Sequence, residues 1–133
     1  MTRLLLVVLV ACSSPPRPPP SPPAPVGKFL AITGRIEDAV VAGHVTLVDF
    51  WSESCAACIV VGGHVAVAIA KDDRIVVRKV DVGDGTTSVA LDYDVSTLPH
   101  WKIYDTHKRL RYVLIGGEVL RAPKLAAELL AEP

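Results

Sequence analysis

The sequence predicts an α/β sandwich built around one mixed β-sheet, and three observations carry that prediction. Runs of β-branched and apolar residues at Val45 to Trp51 and Arg74 to Val82 alternate with stretches of helical periodicity, the succession expected of strands and the helices that cover them. Two later strand-like runs, Trp101 to Tyr104 and Leu110 to Ile115, are separated by only Asp105-Thr-His-Lys-Arg109, so they form an antiparallel hairpin. The chain then closes on an amphipathic helix.

Taken in order, Phe29 to Ile32 is a short apolar run suited to an edge strand. Ile36, Ala39 and Val40 recur at i, i+3 and i+4 before Gly43, which predicts a short amphipathic helix from Arg35 to Ala42. Val45 to Trp51 is apolar almost throughout, as in a strand covered on both faces, and its one charge is Asp49. Ala56 to Ala70 is ambiguous by propensity: Ile59, Val60, Val61, Val65 and Val67 favour a strand, and Gly62-Gly63 weakens a helix. Gly83-Asp-Gly85 ends the strand that begins at Arg74, and Ser88 to Tyr93 suits two helical turns. Pro123 sits where a first helical turn accepts it, and Leu125, Ala126, Leu129 and Leu130 share one face behind it.

The chain has 133 residues, 14 basic and 14 acidic, and half are apolar. A zero formal charge gives no electrostatic reason to expect nucleic acid. Eight of the 11 prolines fall between Pro15 and Pro25, a density no packed core accepts because each removes a backbone donor. The organisation expected is therefore a leader over 1–11, Cys12 with a Pro-rich linker over 12–25, and one domain over 26–133. Mean hydropathy is +0.39, raised in part by Leu4 to Ala11, which at eight residues falls well short of the roughly 20 needed to span a bilayer.

Arg3 followed by that apolar run has the form of a secretory signal. Leu9-Val-Ala-Cys12 resembles the lipobox of bacterial lipoproteins, which implies lipidation of Cys12 and a domain anchored to a membrane in the cell envelope, facing the periplasm. Ser13 to Pro25, almost entirely Pro, Ser and Ala, favours extended polyproline II and a reach of roughly 40 Å at about 3.1 Å per residue.

With Cys12 set aside, the remaining thiols are Cys55 and Cys58, spaced as Cys-Ala-Ala-Cys directly after the buried strand. Alone, this spacing serves zinc, redox chemistry and chance alike. A structural zinc site wants four ligands, and no second Cys or His pair accompanies it. His44, His64, His100 and His107 stand singly.

The context narrows the choice. Val48-Asp-Phe-Trp-Ser-Glu-Ser-Cys-Ala-Ala-Cys58 resembles the active-site segment of the thioredoxin family, and Tyr93-Asp-Val-Ser-Thr-Leu-Pro99 is similar to its segment ending in a cis proline. The resemblance runs from about Phe29 to Leu130 and implies a thioredoxin-like three-layer sandwich, a central mixed sheet flanked by helices. It further implies a thiol-disulfide oxidoreductase whose redox-active Cys55–Cys58 disulfide serves without a cofactor or metal. Cys55, at the start of a helix whose free amides and dipole favour an anion, is the expected attacking thiolate, and Cys58 the resolving thiol. By resemblance Asp49 accepts the proton that Cys58 loses, with Lys79 near it. Pro99 places Leu98 beside Cys55 to dock a substrate strand, and Trp51 packs under the motif. The Cys-Ala-Ala-Cys and Leu-Pro pair are most similar to the periplasmic, reducing branch of the family. The expected partners are protein thiols and disulfides and an upstream membrane redox donor, and the protein is expected to be a monomer.

Four departures bear on activity: Ser54 stands where thioredoxin has Trp, Ala56-Ala57 where it has Gly-Pro, Gly63 where the family has a helix-kinking Pro, and Ile59 where a Lys is frequent. Two other functions stay open from sequence. Cys55, Cys58 and His100 could hold a soft metal such as Cu(I), or the domain could be an interaction scaffold with an idle dithiol.

Overall fold

The computed structural model describes residues 26–133; the leader, Cys12 and the linker lie outside the described residues. Five strands form one sheet: β1 (Phe29–Ala31), β2 (Val45–Trp51), β3 (Ile75–Asp81), β4 (His100–Tyr104) and β5 (Leu110–Ile115). Their order is β1-β3-β2-β4-β5. β1, β3 and β2 run parallel, while β4 is antiparallel to β2 and β5 to β4. The sheet is mixed, as the sequence predicts. The helices are α1 (Ile36–Ala39), α2 (Ala56–Ile69), α3 (Ser88–Asp92) and α4 (Ala122–Ala131), the last entered through a 3₁₀ turn at Gly116–Arg121.

β2 lies at the centre with every residue up to Phe50 buried, and its alternating side chains feed two cores. Val45 and Leu47 face one core, closed by Val65 and Ile69 of α2, Trp101 and Ile103 of β4, and Leu125, Ala126 and Leu129 of α4. Val48 and Phe50 face the other, with Ile36, Val40, Val80, Val82, Ala90 and Val95. Burying each of these larger aliphatic side chains contributes about 1.5–3 kcal/mol. That tertiary gain decides the ambiguous segment: α2 is continuous through Gly62-Gly63, because Cys58, Val65 and Ile69 on its inner face meet the sheet. A strand there would have to send alternate residues outward and lose the shared face.

The predicted helix over 35–42 is corrected to the four residues of α1. Val40 is extended, with φ −71° and ψ 128°, and Val41 donates its N–H to Thr46 Oγ1 at 3.1 Å. Val40 and Val41 are both buried, so the chain leaves the helix early to put two adjacent valines into the interior. Gly43, with φ +77°, turns the chain into β2. Arg78 on β3 is a buried cation that no sequence pattern singles out. Its guanidinium donates to the carbonyls of Ala39 and Gly27, clamping α1 and the entry to β1 onto the sheet.

Candidate active site

β2 delivers Trp51 to the C-terminal end of the central strand, and a turn closed by the Cys55 N–H donating to the Ser52 carbonyl at 3.1 Å leads into α2. Cys55 is the N-cap of α2: its Sγ accepts a hydrogen bond from the Cys58 N–H at 3.1 Å. An amide of the first turn is therefore aimed at the sulfur, the arrangement that favours a thiolate there. Cys55 is half-buried, Cys58 is buried and Ala56 and Ala57 are exposed, so an incoming sulfur can reach Cys55 and not Cys58. The two cysteines are joined in a disulfide with Cα atoms 5.3 Å apart.

A groove of about 330 Å³ opens beside Cys55. Ser52 and Ser54 form its near wall, Val82 to Gly85 one side, and Val95 to Leu98 the other. The Leu98–Pro99 peptide is cis, and the Pro99 carbonyl accepts from the Gly116 N–H at 2.8 Å, tying this loop to the end of β5. Leu98 thus lies in the groove with Cys55. Trp51 is not part of that lining; its ring lies under the Lys79 ammonium, 4.2 Å from the centroid.

Asp49 is 2% exposed in the middle of β2. Gly62 lies one turn beyond Cys58 on the same face of α2, and a Cβ at Gly62 would come 3.8 Å from Asp49 Oδ2. The carboxyl therefore sits beneath the helix face that carries Cys58. Lys79 Nζ is 3.8 Å from Oδ2, while Oδ1 has no hydrogen-bond partner among the described residues. Burial pushes the carboxyl up to about 6, against the opposing pull of Lys79 and of the Trp101 indole.

His100 is buried, packed edge-on against Phe50 with ring centroids 5.5 Å apart. Burial, aided by the Lys102 cation, lowers its affinity for protons, so it is a neutral imidazole near pH 7. His64 lies in a hollow with Val65, Leu120 and Pro123. It is nine residues along α2 from Cys55, about 13 Å of helix rise. Among the described residues no three His, Cys, Asp or Glu side chains stand together as a metal site would require, and no helix is long and apolar enough to cross a membrane.

Residues 33–125 match the family model described as Thioredoxin. The chain belongs to the thioredoxin family. Solved thioredoxins share its fold. That of Malassezia sympodialis superposes with a TM-score of 0.64 at 16% identity, over 79% of this chain and 96% of that one. Oxidised thioredoxin of Plasmodium falciparum gives 0.59 at 20% identity, over 76% and 97%. The reduced thioredoxin pre-protein of Schistosoma mansoni gives 0.63 at 16%, over 77% and 99%. A comparison with curated proteins finds no match. Membership of the thioredoxin family, joined to the Cys55–Cys58 disulfide, makes the chain a thiol-disulfide oxidoreductase.

Two features of the site carry no signal of their own in the sequence. Ser52 is buried under the turn before Cys55, and Trp101, by sequence only a strand residue, pairs directly across from Asp49. The register of β2 against β4 creates that second relation, and no local pattern reports it.

Proposed function

We propose that this protein is a lipid-anchored periplasmic reductase of protein disulfides. The observation that supports it best is an accessible Cys55 at the start of α2, with a buried carboxyl of raised pKa beneath the same helix. In the reduced protein the Cys55 thiolate attacks one sulfur of a substrate disulfide docked along Leu98, expelling the other sulfur as a thiolate. Cys58 then gives its proton to Asp49 and attacks Cys55 Sγ, so that the second substrate sulfur leaves. Two electrons pass from the dithiol to the substrate, and the product is the Cys55–Cys58 disulfide. An upstream membrane dithiol donor returns it to the reduced form.

The reducing direction rests on what surrounds Cys55. A strong oxidant requires an unusually stabilised thiolate. Ala56, Ala57 and Ile59 add no charge, His100 is neutral, and His64 lies about 13 Å along the helix. Among the described residues this leaves the helix amides to stabilise the anion. Equilibration with glutathione buffers should give a potential nearer thioredoxin's value of about −270 mV than −120 mV; a result above about −150 mV refutes the reductase reading. Cys58→Ser should trap Cys55-linked protein partners. Tethering rests on Leu9-Val-Ala-Cys12, and Cys12→Ala should move the protein from membrane to soluble fractions, since stable anchoring needs two or more chains. A wild-type protein that is soluble with a free thiol at residue 12 refutes it.

A further inference from the structure

Asp49 and Trp101 face each other across β2 and β4 as directly paired residues. Both are buried, and both bring an unsatisfied atom: Asp49 Oδ1 and Trp101 Nε1 each have no hydrogen-bond partner among the described residues. One is an acceptor and the other a donor. The two side chains line the same cavity of about 200 Å³, roofed by Gly62, Gly63 and Ala66 of α2 and flanked by Lys79. A buried donor and a buried acceptor left apart cost about 1–3 kcal/mol each. A cavity of this size has room for a water that joins them, with Asp49, Trp101 and Lys79 as its polar partners among otherwise apolar walls.

We propose that Trp101 is a positioning residue for the proton acceptor Asp49, its indole N–H holding the charged carboxylate through one water in this cavity. The proposal rests on the reading of Asp49 as the group that deprotonates Cys58. Its chemical content is a preference between protonation states. An indole N–H can only donate; a water that accepts from it turns its own O–H to the carboxyl, and that arrangement favours the carboxylate over the neutral acid. Lys79 does the same from β3, and without these two donors a carboxyl this deeply placed would stay protonated at neutral pH and could accept nothing.

The surroundings leave few other groups to account for the effect. β3 contributes Lys79 and β1 contributes Phe29. α2 contributes Cys58, which is silent while disulfide-bonded, and His64 further along. On β4 the neighbours of Trp101, His100 and Lys102, alternate to the opposite face of the sheet. Lys28 is drawn to the Asp72 carbonyl and Asp73.

The test uses the oxidised protein, so that neither cysteine titrates. The indole ¹H–¹⁵N signal of Trp101 should move with pH at the midpoint of the Asp49 carboxyl and lose that dependence in Asp49→Asn. In Trp101→Phe, which keeps an aromatic ring and removes the donor, Asp49 should bind its proton about three- to tenfold more tightly. An indole signal indifferent to the ionisation of Asp49, or an unchanged midpoint in folded Trp101→Phe, overturns the proposal. The wild-type and Asp49→Asn comparison needs no change at Trp101, so it decides the matter even if Trp101→Phe does not fold. None of these readouts involves turnover, and so they stand or fall separately from the reductase assay.

Discussion

Asp49 in the centre of the sheet and Asp105 at the turn between β4 and β5 are each 2% exposed, and the chain treats the two carboxylates in opposite ways. Asp105 Oδ1 accepts from the N–H groups of His107 and Arg109, each at 2.9 Å. Its Oδ2 accepts from Arg109 Nε at 2.7 Å and Arg111 Nη1 at 3.2 Å. Burial alone would raise this carboxyl, but those four donors outweigh it and bring it down to about 2. Asp49 has one lysine at 3.8 Å and an Oδ1 with no hydrogen-bond partner among the described residues, and burial takes it up to about 6. A carboxylate kept for the fold is saturated with donors. On the proposed mechanism, one that takes a proton is left short of them, at a cost in stability, because only then does its affinity for protons lie within reach of a thiol.

That cost sets the largest predicted effect. The folded-state pKa of Asp49 lies above its unfolded value, so its contribution to stability is fully present below about pH 4 and is lost as pH rises through about 6. The shift from 3.8 to about 6 corresponds to about 3 kcal/mol. Asp49→Asn should therefore stabilise the oxidised protein by up to about 3 kcal/mol at pH 8 and by little at pH 4, as read by denaturant melts across that range. The same substitution should slow reductase turnover near neutrality while alkylation of Cys55 stays close to normal. A loss of stability at pH 8, or equal losses in both kinetic assays, would assign Asp49 to the fold.

Asp105 supplies the opposite sign. Its folded-state pKa is depressed, so its stabilisation is present above about pH 4 and is lost as pH falls towards 2. Asp105→Ala strips the acceptor from two turn amides and from Arg109, leaves Arg111 with Glu132 alone among the described residues, and should cost about 2–3 kcal/mol at pH 7. The turnover rate of the folded variant should be unchanged, because the hairpin turn lies at the opposite end of β4 from the Leu98–Pro99 loop and lines no part of the groove beside Cys55. Taken together, the two carboxylates place an optimum of their joint contribution near pH 4, and a profile without a decline between pH 4 and 6 would refute the account of Asp49.

The contrast also explains how far the sequence can be read. A lone Asp in the apolar run Val45 to Trp51 is costly on its face, which makes Asp49 stand out from the sequence alone. Cys55, Cys58 and Pro99 are legible because their spacing carries the motif. The strand boundaries are legible because β2, β3, β4 and β5 are bounded by turn residues, and the hairpin because its turn is short. Asp105 reads only as a turn residue; the side chain that follows it by four, Arg109, is the available signal. α2 cannot be decided locally, since its valines prefer a strand and its helix is imposed by the face that Cys58, Val65 and Ile69 share. The end of α1 escapes the periodicity because Val40 fits a helical face by spacing and is instead drawn into the second core by burial. The pairing of Asp49 with Trp101 is a property of register, which sits in no single segment.

The smallest effect concerns Lys79, the cation set against Asp49 among the described residues. Its ammonium stands between the carboxyl, 3.8 Å away, and the face of Trp51, 4.2 Å from the ring centroid, and its side chain is about two-fifths exposed. An opposite charge at this distance favours the ionised carboxylate, but partial exposure screens it. Lys79→Met keeps the aliphatic stem over Trp51 and removes the charge, so the Asp49 midpoint should rise by about one unit from its value of about 6. The acidic limb of the reductase rate should move upward with it, since in the proposed mechanism Asp49 must be ionised to take the proton of Cys58. Added salt should reproduce part of this shift in the wild type and none in Lys79→Met. A midpoint that ignores both the substitution and the salt would mean that burial and the Trp101 donor alone set the proton affinity of Asp49, and would leave Lys79 as a prop for Trp51.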